Sequence, residues 1–231
     1  MTDDKTRYFE RMLDGADWDD RTNTFETRRR LRLVFDDLLG GIDLGGKDFL
    51  DGGSGGGHFS AAAVARGARV TSLDVGEKLL EQVKRRCDST RVVGSILNIP
   101  FEDGRFDVVM STEVIEHTPD PELAVRELCR VVRPGGLLVL TSPNRLWQPV
   151  VRFATATKLR HYAGYENFLW AHRAREVVAG GGLTIERFQG FNVLPLFKPI
   201  FDVALTFVDH RFGEKHPDAF VNFALRARRK A

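Results

Sequence analysis

The sequence is poor in cysteine and has no marked excess of charge of either sign. Cys87 and Cys129 are the only cysteines among 231 residues, and their spacing matches no metal-binding or redox motif. We therefore expect two reduced, structural thiols. Lysine and arginine number 34 against 32 acidic residues, a formal net charge of +2, which does not favour a nucleic-acid partner.

The sequence also lacks a long uninterrupted apolar run. Its most apolar stretch, residues 191–208, contains two prolines and two charged side chains, so no transmembrane segment is expected. The first five residues, MTDDK, do not resemble the start of a secretion signal. With 42% hydrophobic residues the chain can bury a substantial core. We expect a cytoplasmic globular protein.

Apolar side chains recur at helical spacing over residues 24–39, and Gly40 and Gly41 end that pattern. The arginines at positions 28–30 and 32 are interpreted as the solvated face of this amphipathic helix. Residues 1–45 are accordingly predicted to form an N-terminal helical segment that acts as a lid.

Strand and helix patterns alternate from residue 47 onward. The predicted strands cover residues 47–51, 69–74, 91–93, 106–111, 137–141, 183–188 and 220–226. The predicted helices cover residues 57–66, 77–86 and 121–132. This order is typical of an α/β fold with a parallel sheet and helices on both faces.

A glycine-rich loop follows the first of these strands. Residues 49–60 read FLDGGSGGGHFS, in which Asp51, Gly53, Gly55 and Gly57 form a D-x-G-x-G-x-G pattern. A pyrophosphate would be repelled by the carboxylate of Asp51, whereas a cationic ligand would be attracted. S-adenosylmethionine has no phosphate and carries an ammonium and a sulfonium, so it suits the loop better than a dinucleotide does.

The second strand ends with Asp74, roughly 20 residues beyond the loop. A carboxylate at that place can accept hydrogen bonds from both hydroxyls of a ribose. It can also cap the helix that begins near Glu77. Both interpretations stay open from the sequence.

Four segments resemble the class I S-adenosylmethionine-dependent methyltransferases. They are LDGGSGGG (50–57), SLDV (72–75), GSILNIPFEDGRFDVVMSTEVIEH (94–117) and LCRVVRPGGLLVLTSPN (128–144). The motifs are most similar to those of ubiquinone-biosynthesis O-methyltransferases. The resemblance implies a Rossmann-like, seven-stranded, mostly parallel sheet with an antiparallel last strand, formed by a domain over residues 46–231.

The resemblance also implies roles for individual residues. The cofactor S-adenosylmethionine, which leaves as S-adenosylhomocysteine, would contact the glycine loop, the end of the second strand and two later turns. Relatives often carry an aspartate against the adenine amine where this chain has Ser95, so apolar contact would have to contribute more. The implied cofactor-binding residues are Asp51, Gly53, Ser54, Gly55, Gly57, Asp74, Val75, Ser95, Ile96, Leu97 and Glu113.

The segment Glu113-Val-Ile-Glu116-His117 follows the fourth strand and allows three interpretations. His117, with Glu116 as its catalytic partner, could be the general base that takes a proton from an acceptor hydroxyl. A divalent metal bound by Glu113, Glu116 and His117 is the second, less favoured interpretation. It resembles the metal segment of ubiquinone-type and small-RNA 2′-O-methyltransferases, and needs a further ligand such as His161, Glu166 or His172. A purely structural role is the third.

Two stretches beyond residue 144 are rich in aromatic side chains. Residues 145–175 and 190–218 are predicted to be insertions that cap a small, lipophilic or aromatic acceptor, although such side chains often belong to the core. Residues 190–218 could alternatively form a homodimer contact or rest on a membrane. The expected function is methyl transfer to a small molecule, with a hydroxyl oxygen of a lipophilic, aromatic or sugar-containing metabolite as the favoured acceptor. A metal-assisted RNA 2′-O-methyltransferase and a non-catalytic cofactor-binding subunit are the alternatives.

Overall fold

A computed structural model of the chain describes residues 25–157, 166–192 and 211–231. Seven strands form one sheet in the order β3-β2-β1-β4-β5-β7-β6. The strands are β1 (Asp48–Gly52), β2 (Arg69–Asp74), β3 (Thr90–Val93), β4 (Phe106–Thr112), β5 (Val132–Pro143), β6 (Leu183–Phe191) and β7 (Asn222–Arg229). Strand β7 runs antiparallel to both of its neighbours, β5 and β6, and the other four strand pairings are parallel. The predicted fold class is confirmed.

Helices cover both faces of this sheet. They are α1 (Phe25–Arg32), α2 (His58–Val64), α3 (Glu77–Arg86), α4 (Pro121–Val131), α5 (Gln148–Ala156) and α6 (Ala171–Gly180). Apolar side chains of α4 and α6 share one buried cluster with one face of the sheet, and those of α2 share a second cluster with the other face. The sheet is thus the middle of three layers.

Helix α1 continues directly into a π-helix, Leu33–Leu38, whose apolar side chains belong to the second cluster. Arginines from the last two strands reach its carboxyl end. Arg187 donates to the carbonyl of Asp37 and Arg226 to the carbonyl of Leu38, each at 2.8 Å. These bonds satisfy carbonyls that a helix end leaves without partners. The N-terminal helix is therefore part of the packed domain, and its role as a lid stays a prediction.

Strand β5 begins at Val132, five residues before the predicted start at position 137. Phe106 pairs with Val132 and Val108 with Leu137, so the residues between Val132 and Leu137 form a bulge. Gly135 in this bulge has φ +75°, a conformation that glycine adopts readily. The Pro-Gly-Gly segment interrupts the ladder without ending it.

The interpretation of the arginine cluster is wrong for two of its four members. Arg28 and Arg32 are exposed, but Arg29 and Arg30 are half-buried. Arg29 donates from Nη1 to Oδ1 of Asn192 at 2.9 Å. Side chains that are adjacent in sequence point to different sides of a helix, so a run of arginines cannot all face solvent.

The remaining expectations concern cysteine and the membrane. Both cysteines are free, Cys129 buried and Cys87 half-buried. Burial raises the pKa of the Cys129 thiol to about 12, as befits a structural side chain. Within the described residues, no helix combines the length and the apolar character needed to cross a membrane.

Candidate active site

The glycine loop lies at the edge of the sheet where β1, β2 and β4 end. These strands are parallel, so their carboxyl ends meet at one edge, the usual ligand-binding edge of an open α/β sheet. The backbone N–H groups of Gly53 and Ser54 both donate to the carbonyl of Leu73, at 2.8 and 3.0 Å. This contact ties the loop to the end of β2.

Three glycines of the loop have positive φ for different reasons. At Gly53 (φ +82°) a Cβ would lie 2.3 Å from Cγ1 of Val114, and at Gly57 (φ +82°) one would lie 2.9 Å from Cγ2 of Val83. At Gly55 (φ +50°) a Cβ would meet no protein atom within 4 Å. Two positions are therefore closed by packing, and the third borders open space.

Asp74 joins the loop to helix α3. Its side chain is buried; Oδ2 accepts a hydrogen bond from the N–H of Gly55 at 2.8 Å, and Oδ1 accepts one from the N–H of Gly76 at 2.9 Å. Gly76, not Asp74, is the N-cap residue of α3, and that helix has no side-chain cap, so the capping interpretation is wrong; the bond from Gly76 to Asp74 lies just before the helix. Hydrogen bonding to a ribose stays a prediction.

Ser54 provides an observation that fits a bound cofactor. The residue is buried, and its Oγ has no hydrogen-bond partner in the protein. An unsatisfied buried hydroxyl costs about 1–3 kcal/mol, so such groups usually have a partner. The hydroxyl lies in the loop next to Gly55, whose missing side chain leaves open space. A polar ligand at this place would supply the missing bond.

Asp51 lies beneath the loop in a chain of buried hydroxyls. Its Oδ2 accepts a hydrogen bond from Ser60 Oγ at 2.6 Å, and Ser60 Oγ lies 2.8 Å from Ser72 Oγ. Ser72 Oγ in turn lies 2.9 Å from Ser89 Oγ. Burial raises the pKa of Asp51 to about 7. The predicted attraction of this carboxylate for a cationic cofactor stays a prediction.

Replacing Asp51 by Asn should remove a pH dependence of stability. The native carboxyl has a pKa near 7, against 3.8 for its ordinary value, so it stabilises the fold below about pH 4 and loses that contribution as pH rises through 7. The stability of Asp51→Asn relative to the wild type should therefore increase by roughly 4 kcal/mol between pH 4 and pH 8. Urea unfolding without cofactor, repeated at each pH, measures this difference in unfolding free energy. Asp88→Asn is the control, because Asp88 is exposed. Parallel curves of unfolding free energy against pH for Asp51→Asn and wild type would contradict this prediction.

The predicted adenine-contacting residues lie in the turns after β2 and β3. Ser95 Oγ accepts a hydrogen bond from the N–H of Leu97 at 3.1 Å, and Ile96 is buried in the first apolar cluster. Val75 is half-buried directly after Asp74. The structure thus places these side chains beside the end of β2, and their contact with adenine stays a prediction.

Glu113 stands immediately after β4 with φ +54°, an uncommon conformation for a side-chain-bearing residue. Its Oε1 accepts a hydrogen bond from Thr141 Oγ1 at 2.9 Å, and its Oε2 accepts one from Asn222 Nδ2 at 2.6 Å. Burial, together with repulsion from Glu116, raises the pKa of Glu113 to about 7. Val114, the next residue, is the side chain that closes against Gly53.

Glu116 and His117 form a second polar pair at this edge. Glu116 is only 2% exposed, and its Oε1 lies 3.8 Å from Nε2 of the partly exposed His117. Oε2 of Glu116 accepts a weak hydrogen bond from Ser142 Oγ at 3.3 Å. Burial raises the pKa of Glu116 to about 7, and the positive charge of Arg30 opposes that shift. At 3.8 Å the two groups are too far apart for a hydrogen bond, so their contact is electrostatic and is attractive when Glu116 is ionised and His117 is protonated.

The candidate metal ligands do not form a metal site among the described residues. No group of three histidine, cysteine, aspartate or glutamate side chains within them is arranged to hold a metal ion, and this includes Glu113, Glu116 and His117. Glu166 and His172 are described, whereas His161 lies outside the described residues. No step of the chemistry below is assigned to a metal.

Several polar residues at this edge were not found from the sequence. They are Thr141 and Ser142 on β5, Asn167 before α6, Asn192 after β6 and Asn222 at the start of β7. One signal was available, because an antiparallel last strand begins at the edge where its parallel neighbour β5 ends. Asn222, the single polar residue in the otherwise apolar segment VNFAL (221–225), was therefore a candidate for the site.

The aromatic stretches divide between core and surface. Phe168 and Phe191 are buried, and Phe188 stacks on Phe223 with ring centroids 5.9 Å apart. Trp170 and Phe212 are 40% and 44% exposed. Residues 158–165 and 193–210 lie outside the described residues, so the acceptor cap and the homodimer contact predicted there stay predictions.

A known protein family matches the part of the chain that contains the glycine loop, and a solved structure has a similar fold. Residues 50–140 match the family model described as a methyltransferase domain. The structure of an S-adenosylmethionine-dependent methyltransferase from Mesorhizobium loti is similar, with a TM-score of 0.65 at 18% identity, over 94% of this chain and all of that one. The family-model match over residues 50–140 confirms the resemblance inferred from the motifs, and the similar structure shows the same fold.

The sequence is similar to those of ubiquinone biosynthesis O-methyltransferases. The relative from Pseudomonas paraeruginosa is 37% identical over 137 residues, 55% of this chain and 58% of that protein. The relative from Coxiella burnetii is 29% identical over 181 residues, 71% of this chain and 74% of that protein. The match to the Pseudomonas protein thus spans less than two thirds of its length.

The same fold also occurs in a protein named for a different reaction. The cyclase SpnF has a TM-score of 0.63 at 20% identity, over 89% of this chain and 81% of that one. A shared fold is compatible with several activities, so function has to be argued from the residues of the site.

Proposed function

We propose that this protein transfers a methyl group from S-adenosylmethionine to a hydroxyl oxygen of a small molecule. The observation that carries the proposal is the buried Ser54 hydroxyl without a partner, in a loop fixed by Asp74 and open at Gly55. The similarity to ubiquinone biosynthesis O-methyltransferases supports oxygen as the atom methylated. A lipophilic, aromatic or sugar-containing acceptor is the class that we propose.

The cofactor would be held by the loop and the neighbouring strand ends. Asp74 would accept hydrogen bonds from the ribose, Ser54 Oγ would bind a polar group, and Ser95 with its neighbours would adjoin the base. When bound, S-adenosylmethionine supplies an electrophilic methyl group on a positively charged sulfur. The residues of the protein contribute mainly position and exclusion of water, which are large terms for such a displacement.

His117 is the general base of this proposal. The acceptor oxygen would receive the methyl group while its proton passes to the imidazole, whose ordinary pKa near 6.5 suits that task. Glu116, at 3.8 Å from Nε2 of His117, would orient the ring and stabilise its protonated form. The side chain of His117 is 23% exposed, which leaves it within reach of an acceptor at the edge of the sheet.

Transfer of an isotope-labelled methyl group tests the proposal. We expect wild-type protein to label at least one member of a panel of phenols, catechols and sugar-containing metabolites. His117→Ala should lower the rate about 10²- to 10⁴-fold, the usual contribution of a general base, with S-adenosylhomocysteine affinity within about twofold of wild type. Glu176→Ala, an exposed surface change on α6, is the control for handling and purity.

Four outcomes would contradict parts of this proposal. Equal rates for His117→Ala and wild type would remove the base role. Activity lost in EDTA and restored by Mg²⁺ would favour a metal-assisted reaction, and label found in RNA rather than in small molecules would favour the RNA methyltransferase. Tight S-adenosylhomocysteine binding with no label in any acceptor would favour a non-catalytic cofactor-binding subunit.

A further inference from the structure

A chain of side-chain hydrogen bonds links helix α1 to Glu113. Arg29 Nη1 donates to Asn192 Oδ1 at 2.9 Å, and Asn192 Nδ2 donates to Asn222 Oδ1 at 3.1 Å. Asn222 Nδ2 then donates to Glu113 Oε2 at 2.6 Å. These four residues, called the Arg29–Glu113 chain below, come from α1, the end of β6, the start of β7 and the segment after β4.

All bonds of the Arg29–Glu113 chain point the same way. Each amide accepts on the side of Arg29 and donates on the side of Glu113, so the guanidinium charge polarises both amides towards the carboxylate. Hydrogen bonds in such a series strengthen one another, and the last one is assisted by the charge of its acceptor. Asn222 is only 6% exposed, so water competes little for its amide.

The backbone at both ends of the Asn222 contacts is strained. Glu113 has φ +54° and Asn192 has φ +61°, and within the described residues no other residue than glycine has positive φ. This region is unfavourable for a residue with a Cβ, less so for asparagine than for glutamate, and it persists where the surroundings enforce it. Both strained residues bond to the same side chain, that of Asn222. Such concentrated strain is typical of functional sites.

Glu113 lies between the cofactor loop and the segment that carries Glu116 and His117. The next residue, Val114, closes against Gly53 of the cofactor loop, and Glu116 and His117 follow in the same segment. Thr141 holds the second oxygen of Glu113 from β5. A displacement of Glu113 would therefore move both the wall of the cofactor loop and the proposed base.

We propose that Arg29, Asn192 and Asn222 are positioning residues that hold Glu113, and through it the segment 113–117, in the geometry needed for methyl transfer. Helix α1 is thereby a working part of the active site. The inference rests on the proposed function, because it takes residues 113–117 as the acceptor side. None of the three positioning residues is expected to contact the reacting atoms.

Hydrogen exchange followed by mass spectrometry tests the Arg29–Glu113 chain without any acceptor. In Arg29→Met, with S-adenosylhomocysteine as the only ligand, a peptide covering residues 111–118 should exchange about tenfold faster than in wild type. Strands β1 and β2 should be unchanged. The matched control is Arg28→Met, one residue earlier on α1 and exposed. Unchanged exchange of 111–118 in Arg29→Met, or an equal rise in Arg28→Met, would overturn the inference.

The second test reverses the direction of the hydrogen bond between residues 222 and 113. Asn222→Asp alone places two carboxyl groups against each other and should speed exchange of residues 111–118. Combining it with Glu113→Gln restores a bond, now donated by the amide at position 113, while Asn192 and Thr141 keep their acceptors. We expect exchange in this pair to return to within about threefold of wild type. A pair that exchanges as fast as Asn222→Asp would overturn the role of this bond.

The kinetics of methyl transfer distinguish a positioning role of Arg29 from a role in packing alone. Arg29→Met should lower kcat about tenfold and raise the KM for S-adenosylmethionine by no more than about threefold, because the segment 113–117 carries the proposed base and reaches the cofactor loop through the contact of Val114 with Gly53. Faster exchange together with an unchanged kcat would overturn the positioning role. If wild-type protein transfers no methyl group, the proposed function fails, and the exchange experiments still decide whether the chain holds Glu113.

Discussion

Asp74→Ala should weaken the binding of S-adenosylhomocysteine at least 100-fold. The carboxylate accepts backbone N–H groups from Gly55 and from Gly76, so it fixes both the glycine loop and the start of α3. In the proposed complex it also accepts from the ribose. Hydrogen bonds to a charged group contribute about 1.5–3 kcal/mol each, and a loss of roughly 2.7 kcal/mol already corresponds to a factor of 100. Isothermal titration calorimetry measures the affinity directly.

The conservative variant Asp74→Asn tests whether both oxygens of Asp74 are needed as acceptors. Each oxygen of Asp74 faces an N–H donor, so the amide of Asp74→Asn must turn its NH₂ towards one of them. We expect about tenfold weaker binding for Asn and a larger loss for Ala. Asp43→Ala is the matched control, because Asp43 accepts the N–H of Gly45 in an exposed turn before β1, at the opposite edge of the sheet. Affinity within twofold of wild type in Asp74→Ala would remove Asp74 from the cofactor site.

Local patterns predicted the cofactor half of the site. The glycine spacing, Asp51 and Asp74 lie within 24 residues of one another, and each lies at or directly after the end of a predicted strand. The carboxyl ends of adjacent parallel strands meet at one edge, so strand assignment alone brought these residues together. The structure adds the distinction among the glycines, which depends on contacts with Val114 and Val83.

The acceptor half depended on contacts that local patterns do not contain. Arg29 and Asn192 are 163 residues apart, and Asn222 and Glu113 are 109 apart. Their contact requires the register of β6 against β7 and of β7 against β5, which three-dimensional pairing sets. The π-helical turn at Leu33–Leu38 was not predicted either, because its sequence reads as an ordinary amphipathic helix.

Gly53→Ala should destabilise the protein by about 3 kcal/mol and lower its Tm by roughly 6–12 °C. The new Cβ would lie 2.3 Å from Cγ1 and 2.6 Å from Cγ2 of Val114, and the φ of +82° is unfavourable for alanine. Relief requires Val114 to move, and Val114 adjoins Glu113, so cofactor loop and acceptor side would be displaced together. Thermal unfolding in the absence of cofactor measures the loss.

Two further variants separate the clash from the backbone strain. Adding Val114→Ala removes both Cγ atoms and should recover the part of the loss that is steric, although the Cβ of residue 114 would remain 3.0 Å away. Gly55→Ala, with φ +50° and no atom within 4 Å of its Cβ, should cost only about 1 kcal/mol. Its methyl group enters the space that we assign to the cofactor, so it should weaken S-adenosylhomocysteine binding much more than it lowers Tm. Gly53→Ala as stable as Gly55→Ala would show that the contact with Val114 does not fix the loop.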